Sequence, residues 1–192
     1  MSQEQLLRLV LAVLSVVLYI NHHVLHRSPQ KGATKAPTGL IEASIGVTAS
    51  LWTLSLALFV LNFDWFNYAV PLPLWLRWAG VVLMTACFPL SAWIYRALGE
   101  HFSKKLELQT NHRLIDNGPY RFVRHPMYAT LLLCASATCL ISANLIVMAM
   151  VGAVAVVFVL RIQQEEAMLV GRFGQEYSNY RRHTAALVPG LL

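Results

Sequence analysis

Charged side chains are scarce in this sequence. They make up 12% of its 192 residues, and none occurs among the 34 residues from 127 to 160. An ordinary soluble domain carries about 25% charge, so a soluble globular fold is excluded. Cysteine is scarce too: Cys87, Cys134 and Cys139 are odd in number and sit in apolar runs. That excludes a disulfide framework and a CxxC metal site, and leaves thiols that pack as small apolar groups. No internal repeat or low-complexity segment appears. The first apolar segment, LLRLVLAVLSVVLYI, lacks the small-residue cleavage site of a signal peptide and is read as a span. A formal charge of +6 could point to nucleic acid. The basic residues, however, lie in short loops beside apolar runs, where they act as orientation signals, and no nucleic-acid partner is expected.

What is present is hydrophobic length. A membrane-spanning helix needs roughly 20 apolar residues. Segments of about 5–24, 40–62 and 73–97 qualify, followed by the uncharged run to 160. As one straight helix that run would extend ~50 Å at 1.5 Å per residue, well past a hydrocarbon core of about 30 Å. It must reverse, and Ser142, Ala143 and Asn144 are its polar interruption. The expectation is an all-α integral membrane domain of five spans, the last two about 127–141 and 145–160. Thirteen of the fifteen basic residues then fall in the first loop, the third loop and the tail, leaving Arg8 and Arg77 opposite. The asymmetry predicts an N-terminus outside and a cytoplasmic tail.

A hairpin turning near Ala143 brings GPYRFVRHPMY and RIQQEE to similar depth at the cytoplasmic edge: Tyr120 and Glu166 each lie 23 positions from the turn, Arg124 and His125 lie 19 and 18 before it, and Arg161 lies 18 after. Pro126 suits the first turn of a helix, because its missing N–H would be unpaired there. Arg124 and His125 add cationic donors at an N-terminus whose dipole already disfavours them, an arrangement that suits an anion. Arg161 and Glu165 share a helix face. Glu166 lies on the stripe of Ile162, Leu169, Phe173, Tyr177 and Tyr180, so the two carboxylates serve different tasks. Glu165 faces a ligand beside Arg161, or else either carboxylate pairs with a neighbouring arginine. Arg121, Arg172, Arg181 and Arg182 read as topology signals. Glu42 reads as a partner of its helix dipole, and His22, His23 and His26 as interfacial histidines. No metal is implied.

The stretches GPYRFVRHPMY, RIQQEEAML and FGQEYSNY resemble those of the isoprenylcysteine carboxyl methyltransferase family, over about residues 99–189. The resemblance implies S-adenosylmethionine as cofactor, with S-adenosylhomocysteine as product, bound without a Rossmann fold; the sequence contains no GxGxxG. It implies a cytoplasmic-edge pocket formed by the third loop, the last helical hairpin and the C-terminal helix. His112, Arg113, Leu114 and Ile115 would meet the adenosine part, with Lys105 or Gln109 adding a contact. Tyr120, His125, Pro126, Met127 and Tyr128 would enclose the cofactor, Glu165 would take its amino group, and Arg124 its carboxylate or the pocket structure. Arg161 and Glu166 are the catalytic candidates, with Arg161 approaching a lipophilic or prenylated acceptor from the bilayer. Where the family often has glycine, this chain has Thr130. The competing readings are an NADPH-dependent sterol-type reductase, a phospholipid or thiol methyltransferase, and a non-catalytic membrane subunit.

Overall fold

A computed structural model of the chain describes residues 1–25, 40–98 and 116–190, and these are helical apart from turns and isolated bridges. The order is α1 (Gln3–Leu25), α2 (Leu40–Val60), α3 (Leu74–Leu98), α4 (Pro126–Ser142), α5 (Leu145–Phe173) and α6 (Gln175–His183). Short 3-10 turns lie at Asp64–Phe66 and Gly118–Arg121. Three helical segments, Gln3–Asn21, Leu74–Ala97 and Leu145–Phe173, are long and apolar enough to cross a membrane; Gly46–Val60 and Pro126–Ser142 are shorter apolar helices. Leu9, Val13, Val16, Val17 and Ile20 are all exposed along one face of α1, as are Val156, Val159 and Leu160 on α5. Apolar faces this continuous are at home against lipid.

The long apolar run reverses where its polar residues predict. Ala143 takes a left-handed conformation with φ 46° and ends α4, and the Asn144 side chain then starts α5 by accepting from the backbone N–H groups of Ile146 (3.0 Å) and Val147 (3.2 Å). The same side chain donates to the Phe66 carbonyl at 2.9 Å. Two backbone bonds, Val70 N–H to Ala143 O (2.7 Å) and Leu145 N–H to Tyr68 O (2.9 Å), strap the reversal to the α2–α3 connection. Arg77 of α3 caps α4 by donating from its Nε and a terminal nitrogen to the Ile141 carbonyl, at 3.0 and 2.7 Å. Every polar group freed by the reversal named here has a partner, which an apolar surrounding requires.

α3 packs along α4, α2 along α5, and α1 against α3. The buried core of Leu7, Leu11, Phe59, Phe66, Met84, Ile141 and Val147 sits toward the α4–α5 turn. Beside it Glu4 binds Arg77 (2.5 Å) and Arg8 (3.4 Å). Arg8 also donates to the Phe59 carbonyl and lies over the Phe59 ring. The end of the bundle away from the turn therefore carries the other polar cluster.

The closeness of α3 to α4 depends on Gly80, where an added Cβ would lie 2.8 Å from the Leu140 Cβ. Gly80→Ala should lower the melting temperature in detergent by several degrees, since overpacking costs ~1–3 kcal/mol. Gly152→Ala, with open space around it, should leave it unchanged or raised. Equal melting temperatures for the two variants would contradict this packing.

Candidate functional site

Two chain segments meet at the end of the bundle opposite the turn. Gly118, with φ 57°, opens the 3-10 turn that carries Tyr120. Beyond it Val123 forms a parallel bridge with Ala185, while the Arg124 and His125 N–H groups donate to the carbonyls of Ala185 (2.8 Å) and Ala186 (3.0 Å). The Tyr180 hydroxyl donates to the Tyr120 carbonyl at 2.6 Å. The segment after α6 is thus docked on RHP, and α4 starts at Pro126 with His125 as its N-cap.

Glu166 is the hub of this end. Its Oε1 accepts from Arg124 Nε at 2.8 Å and lies 3.3 Å from His125 Nε2, and its Oε2 lies 3.3 Å from Arg181 Nε. Arg124 also donates to the carbonyls of Arg181 (3.0 Å) and Thr184, which sit at the end of α6. The anion that the RHP helix N-terminus favours is, in this structure, a carboxylate of the chain itself.

Glu165 points to a different group. Arg161 Nε donates to the Tyr128 hydroxyl at 2.7 Å, and the buried Tyr128 ring stacks edge-on against Phe158 with centroids 5.4 Å apart. The Glu165 charge acts on both the Tyr120 and Tyr128 phenols. Yet among the described residues the buried Glu165 Oε2 has no hydrogen-bond partner, and neither has the Tyr177 hydroxyl. Burial first, then the Glu165 charge, holds the Tyr120 phenol well above its ordinary range. Tyr180 is pushed up to about 12, chiefly by burial. Both stay protonated at ordinary pH, and Tyr180 serves as a neutral donor to the Tyr120 carbonyl.

The structure brings Tyr120, Arg124, His125, Tyr128, Arg161, Glu165 and Glu166 to one end, with Pro126 buried and Met127 half-buried at the start of α4. Lys105, Gln109, His112, Arg113, Leu114 and Ile115 lie outside the described residues. The stripe from Ile162 to Tyr180 is carried on two helices, because Gly174 (φ 54°) separates α5 from α6. Register also differs from simple counting about Ala143: Arg161, 18 residues after it, meets Tyr128, 15 before it. Helical side chains lean toward their own N-terminus, so Arg161 reaches back toward the turn. Arg124 and His125 precede the helix, and His125 has φ −124°. Residues outside a helix advance further per residue than helical ones, and so these two reach Glu166, further along α5. Sequence reasoning missed Arg181 and Thr184 as members of the hub. Neither has a distinguishing spacing, and only the docking of the tail identifies them.

Comparison with known proteins bears on this arrangement. The model of the isoprenylcysteine carboxyl methyltransferase (ICMT) family matches residues 78–171. A protein-S-isoprenylcysteine O-methyltransferase of Schizosaccharomyces pombe is 33% identical over 94 residues, 47% of this chain and 40% of that protein. One of Dictyostelium discoideum is 27% identical over 131 residues, 67% of this chain and 55% of that protein. The chain therefore spans about half the length of these curated relatives. The solved structure of the eukaryotic intramembrane Ras methyltransferase ICMT, without a monobody, superposes with a TM-score of 0.60 at 20% identity, covering 95% of this chain and 64% of that one. That likeness shows a shared fold. The resemblance to the isoprenylcysteine carboxyl methyltransferase family carried by the motifs is shown over residues 78–171.

The two adjacent carboxylates differ in a measurable way. Glu166→Ala leaves the Arg124 side chain, only 8% exposed, without its counter-charge, and should cost about 3–5 kcal/mol, a clear loss of thermal stability in detergent. Glu165→Gln should leave stability unchanged or raised, because it removes a buried oxygen's unmet charge. A Glu166→Ala protein no less stable than Glu165→Gln would contradict the hub.

Proposed function

Proceeding from the family match over residues 78–171, we propose that the chain is an integral membrane methyltransferase. It takes a methyl group from S-adenosylmethionine and transfers it to the carboxylate of a lipophilic, isoprenylcysteine-type acceptor. The observation that carries this reading is the buried Oε2 of Glu165, which has no hydrogen-bond partner among the described residues and lies one helical turn from Arg161. A buried carboxylate oxygen without a donor is costly, by ~1–3 kcal/mol or more, and calls for a cationic partner. The amino group of S-adenosylmethionine fits that demand. When bound, this cofactor supplies a methyl group on a positively charged sulfur, open to in-line attack.

The chain's residues then divide the work. Glu165 holds the amino group, while Tyr120, His125, Pro126, Met127 and Tyr128 wall the site. Arg161, fixed through Nε by the Tyr128 hydroxyl, orients the acceptor carboxylate. A guanidinium stays charged and holds a carboxylate without exchanging a proton with it. A carboxylate nucleophile needs no strong base; it needs alignment and release from water. Glu166 acts at one remove: by holding Arg124, His125 and Arg181 it keeps the tail docked over RHP. The HRLI segment (His112 to Ile115), with Lys105 and Gln109, completes the adenosine side, so that the cofactor-binding part takes in about 99–189.

We place this site at the cytoplasmic edge, with α1 to α5 as the five spans and the N-terminus outside. Thirteen of fifteen basic residues in the first loop, third loop and tail support that orientation. So does the pairing of the other two, Arg8 and Arg77, with Glu4 near the opposite, turn end. Cofactor would enter from water and acceptor sideways from the bilayer.

Arg161→Ala should reduce methyl transfer at least about 100-fold while S-adenosylhomocysteine affinity changes little. Glu165→Ala should weaken that affinity about 10-fold or more, as expected for loss of a charged hydrogen bond. Labelled methyl donor and a panel of prenylcysteines, lipids and thiols identify the acceptor. Tighter binding of NADPH than of S-adenosylhomocysteine would overturn the reading in favour of a sterol-type reductase.

A further inference from the structure

Tyr177 is 1% exposed, and its hydroxyl is buried without a hydrogen-bond partner among the described residues. A phenylalanine would fill the same space without an unpaired hydroxyl, so packing alone does not account for it. The neighbouring Glu166 carboxylate is already engaged by other groups. Glu166 Oε1 is bound by Arg124 and faced by His125, and its Oε2 is paired with Arg181. Burial is the main reason the phenol stays neutral, and the carboxylates of Glu166 and Glu165 add to that. Arg181, four residues on and on the same face of α6, meets Glu166 at 3.3 Å, which sets Tyr177 at the same end of the bundle as the two carboxylates. The site therefore holds two unmet groups, a donor on Tyr177 and an acceptor on Glu165. They are on different helices, α6 and α5, joined across the short break at Gly174.

One small fragment satisfies both: an α-amino acid end, whose ammonium donates and whose carboxylate accepts. Arg124 was the expected partner of that carboxylate, but its Nε and one terminal nitrogen are engaged with Glu166 and with the Arg181 and Thr184 carbonyls. We propose that Tyr177 is a ligand-binding residue whose hydroxyl donates to the carboxylate of the methyl donor's amino-acid end, opposite the ammonium held by Glu165. This rests on the methyl-donor reading above.

The test is calorimetric binding of S-adenosylhomocysteine, and of its decarboxylated analogue, to the full-length protein and to Tyr177→Phe in detergent. The variant should bind S-adenosylhomocysteine about 10-fold more weakly. It should bind the decarboxylated analogue as the unaltered protein does, and its ligand-free melting temperature should be unchanged or higher. Equal affinity of both proteins for S-adenosylhomocysteine would overturn the assignment, as would an equal loss for both ligands. A marked fall in melting temperature would overturn it as well, by showing that the hydroxyl serves the fold. If the unaltered protein itself fails to bind S-adenosylhomocysteine, the methyl-donor reading falls first and this inference with it.

Discussion

Asn144, 1% exposed, holds the α4–α5 turn from both sides: its oxygen starts α5 and its nitrogen ties the turn to Phe66. The rest of the structure depends on this. A chain reversing among apolar helices must satisfy each backbone group it frees. Asn144, Arg77 and the strap through Tyr68 and Val70 do so with side chains and loop backbone. With the turn fixed at one end, two rigid helices carry RHPMY and RIQQEE to the other end as a pair. A single helix, or a turn placed a few residues elsewhere, would leave those motifs at different depths.

At that far end two neighbouring carboxylates have opposite fates. The roughly 100° between successive helical residues sends Glu166 toward α6 and RHP, where Arg124, His125 and Arg181 meet it, and Glu165 toward Tyr120 and Tyr128. One charge is neutralised within the fold; the other retains a buried oxygen with no hydrogen-bond partner among the described residues. In the proposed function, stability and ligand binding are thereby separated on a single helix. The same separation explains why the RHP terminus, with its cationic donors and helix dipole, is compatible with a folded protein before any ligand arrives.

Much of this was legible in the sequence, and for physical reasons. The uncharged stretch exceeds any bilayer, so a reversal was forced, and Ser142 to Asn144 offered the polar interruption near its midpoint. Pro126 marked the start of α4 because its ring permits no earlier helical turn. The meeting of RHPMY with RIQQEE followed from the hairpin, although counting set Arg161 beside Arg124 and His125 and the structure sets it on Tyr128. What could not be read was register and tail docking. Lean of side chains and the non-helical residues before Pro126 shift the partners by about a turn. The capture of Glu166 by Arg181 depends on where the last nine-residue helix folds back, which the break at Gly174 decides and no periodicity records.

The central claim is that the hairpin makes the two distant motifs one physical unit, and the Arg124–Glu166 pair is its most direct contact. A double-mutant cycle on thermal stability, using Arg124→Met, Glu166→Leu and the two together, measures that contact. The account predicts strong coupling, with the double variant more stable than the sum of the single losses by about 2 kcal/mol or more, because Glu166→Leu strands the buried Arg124 charge, Arg124→Met takes from Glu166 its closest partner, and the double change removes both charges together. Losses that simply add, within ~0.5 kcal/mol, would contradict it.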